Sequence, residues 1–178
     1  MVISVRVIRF VVVAAFASAF LAAGVRAETV NAGTLGFSAV FGCRSQRDSR
    51  PVATPVGNII MTGYSCGTRD GGYFIAVADY PARSITKKSL DAAYTGAING
   101  AANSVKGKIR SVAPYVLGNI TGRDALIDAK AGNQTVHLRV FYVGHRQFQA
   151  MFIGPTGREN SKACLAFLNS FVLTKPGR

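Results

Sequence analysis

Acidic side chains are scarce in this sequence, with eight Asp and Glu against 21 Lys and Arg in 178 residues. Histidine is scarcer still, and only His137 and His145 occur. No His/Cys/carboxylate cluster has the spacing of a zinc site, so no metal is expected. A serine or cysteine nucleophile needs a base held beside it, and these two imidazoles are the only ones on offer. His145 reads as an exposed turn residue and His137 as a residue on the less buried face of a strand. No Gly-rich strand-to-helix loop of the phosphate-binding kind is present, so no cofactor is expected either. Catalysis is therefore not expected, and a thiol-dependent or hydrolytic enzyme is the minor alternative.

Long hydrophobic runs are also missing. The longest, Phe10 to Gly24, holds 15 residues before Arg26 interrupts it, whereas a spanning helix needs about 20. Arg6 and Arg9 precede this run and Val25-Arg26-Ala27 follows it, which is the plan of a secretory signal peptide over residues 1–27. The expected mature chain is 28–178, exported to the periplasm or secreted, with no transmembrane anchor after cleavage. Its length suits one domain with a sizeable core, and no repeat or Pro/Gly-rich linker divides it. The signal takes three basic residues and no acid, leaving 18 bases against eight acids, a formal +10. Outside the inner membrane the anionic partners at hand are lipid headgroups, envelope polymers and acidic proteins, while nucleic acid is not expected.

Basic residues gather in three places: Arg44, Arg47 and Arg50; Arg83, Lys87 and Lys88; and Lys106, Lys108 and Arg110. The first group follows Cys43 in FGCRSQRDSRP, read as part of a 14-residue loop, and is the candidate anion contact for polymer or headgroups. The same side chains also read simply as solvated charges.

Three cysteines, Cys43, Cys66 and Cys164, enter an oxidising compartment, where pairing is expected and one thiol is left over. Spacing alone does not choose among three pairings. Cys164 lies in a stretch with helical spacing, where a buried cysteine acts as a small apolar residue, so Cys43 with Cys66 is the favoured bridge. A simple hairpin of 37–42 with 59–66 would put those two roughly 26 Å apart, at about 3.3 Å per residue. The bridge thus requires the first strand to pair elsewhere.

Phe37–Phe41 alternates as a half-buried strand does. NIIMTGYSC and GYFIAVADY flank Asp70-Gly71 and read as a hairpin. From Ser89, placed to cap, apolar residues Leu90, Tyr94, Ile98, Ala101, Val105 and Ile109 recur at helical intervals. Ala92, Gly96 and Gly100 fall four apart, which suggests a flat helix face lying against a sheet. YVLGNI, DALIDA, TVHLRVFYV and QFQAMFIG then read as an antiparallel meander. Thr156-Gly157-Arg158-Glu159 has capping-box spacing before a helix with Cys164, Phe167, Leu168 and Phe171 on its apolar side. SFVLTK can add a short last strand.

FSAVFGC, GGYFIAVADYP, VFYVGHRQFQAMFIGP and FLNSFVL, in this order, resemble the Mog1/PsbP-like family over nearly all of the mature chain. The resemblance implies an α+β domain in which an antiparallel sheet is packed between helices. It also implies a binding or accessory role, because the named members of that family act by docking to other proteins. The matched words hold no ligand or catalytic motif, and the expected partner is an unidentified envelope protein, or else anionic polymer or headgroups.

Overall fold

A computed structural model describes residues 26–54, 56–130 and 132–174. The expected signal peptide lies almost wholly outside the described residues. No helix among the described residues is long and apolar enough to cross a membrane. In chain order the elements are β1 (Glu28–Ala32), β2 (Phe37–Phe41), β3 (Gln46–Thr54), β4 (Gly57–Gly67), β5 (Gly72–Asp79), α1 (Leu90–Ser104), β6 (Lys108–Leu117), β7 (Ile120–Ala129), β8 (Gln134–Val143), β9 (Arg146–Pro155), α2 (Lys162–Ser170) and β10 (Val172–Leu173). Seven strands make one antiparallel sheet in the order β3-β4-β5-β9-β8-β7-β6, and β1-β2-β10 make a second, small one.

The hairpin β4–β5 and the meander β6–β9 form as their turn residues and alternation dictate. Their boundaries differ from the sequence reading at two points. The meander starts at Lys108, so Ile109 belongs to β6 and not to the helix. Gly118, with φ 61°, makes a two-residue turn with Asn119 that splits YVLGNI between two strands.

Tyr94, Ile98 and Ala102 of α1 pack on one face of the large sheet, over Ala125, Ile127, Leu138 and Val140. Against the other face lie α2 and the small sheet together, with Phe37, Phe41, Phe167 and Phe171 packed against Ile75, Phe141 and Phe152. The fold is thus an antiparallel sheet with few helices, and more β than the resemblance implied, because half of one covering layer is itself sheet. Each fully buried Phe contributes roughly 1.5–3 kcal/mol through apolar area withdrawn from water. Gly122 lets Phe141 come close, since a Cβ there would stand 2.5 Å from that ring.

Four local expectations are corrected. The stretch read as a loop after Cys43 is mostly strand β3, paired along its length with β4 from Gln46↔Ser65 to Thr54↔Gly57. It was illegible because an edge strand exposed from Gln46 to Pro51 shows no apolar alternation. Gly96 and Gly100 face open space, so α1 meets the sheet through Tyr94, Ile98 and Ala102 and not through its small residues. Ser89 stands at the N-cap of α1 as its place suggests, but its side chain does not cap the first turn; Thr86 and Ser89 bond one another reciprocally, with the Thr86 N–H donating to Ser89 Oγ at 2.8 Å. Ser161, and not Thr156, caps α2 by accepting from the Cys164 N–H.

Cys43 and Cys66 are joined by a disulfide with their Cα atoms 5.9 Å apart. The geometric requirement is met because β2 pairs with β1 and β10, while β3 brings the chain back alongside β4. The bridge ties the exit of β2 to the end of β4, and so links the small sheet to the large one.

Candidate docking surface

His137 lies on β8, an interior strand of the large sheet covered on both sides, and is 4% exposed. The expectation that it faces the less buried side is therefore wrong; β8 has no such side, since its residues from Thr135 to Tyr142 are all buried. Its Nε2–H donates to both Asp124 oxygens, at 2.9 and 3.0 Å, and its Nδ1–H to the Glu159 carbonyl at 2.6 Å. Burial alone would lower its pKa, but bonds to Asp124, the Cys164 thiol and the Glu159 carbonyl prevail and raise it to about 10. The ring is thus a buried imidazolium. Arg139, two residues on, donates to Asp124 at 2.9 Å and to Asn169 at 2.9 Å, and lies 3.9 Å from the centroid of the Tyr115 ring. One carboxylate therefore serves two buried cations. Burial opposes the charge on Asp124, yet the bonds from His137 and Arg139 hold its carboxyl below the usual carboxylate range.

The Cys164 thiol sits 3.6 Å from His137 Nδ1, so cysteine, imidazole and carboxylate do come together. Their connectivity is not that of an activated nucleophile. The thiol donates to the Glu159 carbonyl at 3.0 Å, both imidazole nitrogens are already donors, and Cys164 is fully buried. What the cluster does is bind α2 and its entry loop to the sheet. Arg110 extends the same seam, bonding Asp128, Glu159 and Thr135. A sequence signal for this did exist, because Asp124 and Asp128 share a parity in β7 that matches His137 and Arg139 only once the strand register is known. Titration with a thiol reagent is expected to find no fast-reacting thiol in the native protein and one after denaturation.

Arg44 stands between the bend at Gly42-Cys43 and β3, and Arg47 and Arg50 stand on β3, all three exposed. Residues three apart on a strand point to opposite faces, so Arg47 and Arg50 are not brought together. His145 is an exposed turn residue.

Two clefts lie open among the described residues. A groove of about 390 Å³ runs between α1 and β6, floored by Tyr94 and Ile98 and walled by Thr95, Asn99, Ile109 and Val112. At one mouth Arg123 bonds Asp91 at 2.7 Å and lies 4.8 Å from the Tyr94 ring centroid. Ile109, Val112 and Val116 are 39, 48 and 63% exposed. Their register opposite Ile127, Ala125 and Thr121 puts all three on the α1 side of β6. A second cleft, of about 340 Å³, is lined by Thr34, Asp79, Val143, His145 and Arg146. The open sheet edges themselves are poor docking sites, because β3 and β6 carry Pro51 and Pro114 near their middles. A proline without an N–H interrupts strand addition at these two edges.

No protein-family model matches the chain, and no curated protein does. Among solved structures it is similar to the solution structure of cyanobacterial PsbP (CyanoP) from Synechocystis sp. PCC 6803. The TM-score is 0.59 at 9% identity, covering 89% of this chain and 98% of that one. The fold is PsbP-like.

Proposed function

We propose that this chain is an exported accessory protein without catalytic activity, which docks to another protein of the cell envelope through the α1–β6 groove. The observation that carries the reading is the concentration of exposed aliphatic side chains on one side of one strand, beside a groove with an aromatic floor. Clustered exposed apolar surface marks interaction sites in soluble proteins. The occupant is an apolar segment, since Tyr94, Ile98, Ile109 and Val112 line the groove. Export is supported by the signal-like first 27 residues and by a disulfide, which persists in oxidising compartments. A non-catalytic role is supported by the Cys164–His137–Asp124 geometry, in which every proton donor is already engaged within the fold.

A photo-crosslinking residue at Val112 should yield one stoichiometric adduct in envelope fractions. Thr95→Arg, which fills the groove from an exposed helix position, should abolish it. A crosslinker at Val40, exposed on the small sheet, should give none. Adducts at both positions, or none at Val112, would sink the reading.

A further inference from the structure

The strand registers place the start of β3, the β4–β5 turn, the α1–β6 connection, the β7–β8 turn and the segment after β9 at the same end of the large sheet. Arg44, Arg69, Lys106, Lys108, Lys130 and Arg158 are all exposed on these segments. None of the six makes an ion pair among the described residues. Of the acids at this end, Asp128 and Glu159 are bonded by Arg110 and Glu28 accepts from Ser45, leaving Asp70 and, near the start of β3, Asp48. The opposite end differs. There Arg146 is matched to Asp79 at 2.5 Å, and Arg83, Lys87 and Lys88 follow β5.

This positive end is broad. Seven strands at about 4.8 Å spacing span roughly 29 Å, with Arg44 towards the β3 edge and Lys108 at the β6 edge. Neither cleft described above has any of the six cations in its lining. A polymer strand or a small anion is held in a groove, whereas separated cations on protruding turns match a plane of charge. Of the large exposed aliphatics, Val56, Val116 and Val143 lie towards the other end, and Ile109, next to Lys108, lines the α1–β6 groove.

We infer that this end of the sheet binds the surface of an anionic lipid bilayer, peripherally and by charge alone. The protein then sits end-on to the membrane and leaves the α1–β6 groove open along its side. The inference does not rest on the groove reading, and either can fail without the other.

Co-sedimentation tests it, using vesicles of phosphatidylcholine with about 30 mol% phosphatidylglycerol, against phosphatidylcholine alone, near 50 mM salt. Binding is expected only to the anionic vesicles, and it should be largely lost at about 300 mM salt. The triple variant Arg69→Glu, Lys130→Glu, Arg158→Glu should bind at least about tenfold more weakly. The variant Arg83→Glu, Lys87→Glu, Lys88→Glu, with an equal charge change at the other end, should lose less than about twofold. Should the first triple not fold, its three single reversals serve, each with a severalfold loss. Equal losses from both triples would mean that net charge, and not this surface, is responsible. Binding of soluble dextran sulfate without vesicle binding would transfer the site to a polymer, and either result overturns the inference.

Discussion

Asp124→Ala is expected to destabilise the protein by about 3–5 kcal/mol, the usual cost of removing one partner from buried ionic groups. The loss is large because this carboxylate accepts from both His137 and Arg139. It leaves two buried cations, 6 and 7% exposed in their side chains, without a counter-charge. Asp124→Asn keeps the shape and removes the charge, so it should lie close to alanine and far from wild type. The pH dependence follows with its sign. His137 is raised to about 10 from an ordinary value near 6.5. Its contribution is therefore complete below about pH 6.5 and falls away as the pH rises towards 10. Asp124 is lowered, so its contribution holds above about pH 4 and is lost in acid. Melting temperature should plateau between these limits and decline on the alkaline side. In His137→Gln the plateau should be lower and the decline absent. A wild-type curve flat from pH 6 to 10 would contradict the imidazolium.

Replacing Cys43 and Cys66 together by serine should cost about 3 kcal/mol, given the entropy of closing a loop with their separation of 23. For a domain of this size that corresponds to a fall of roughly 10 °C in melting temperature. The effect should be local as well as global. Strand β3 is an exposed edge held by β4 alone, and its start is fastened by the bridge. Amide exchange in Gln46–Ser49 should therefore speed up more than in β5, and an unchanged melting temperature would show the bridge to be dispensable.

The hairpin β4–β5 and strands β8 and β9 were legible because alternation and turn residues agree, as at Asp70-Gly71 and Gly144. The pairing of Cys43 with Cys66 was approachable because it could be stated as a condition on β2. Strand β3 was not legible, since exposed residues carry no periodic signal. The glycines of α1 misled because spacing fixes which residues share a face but not which face meets the sheet. Thr156 and Ser161 both begin chemically plausible caps, and only the path of the chain after β9 selects the second. The burial of His137 and Arg139 follows from the interior place of β8 between β9 and β7, a property of strand order that no local window contains. The groove was invisible for the same reason, being made where α1 crosses back over a strand that follows it.

The central claim is that a partner protein is held in the groove between α1 and β6. Hydrogen exchange of the purified complex, compared with the chain alone, tests it most directly. The account predicts slowed exchange in residues 91–99 and 108–117, with residues 46–54 unchanged. Protection of 46–54 instead, or no slowing at α1 and β6, would contradict it.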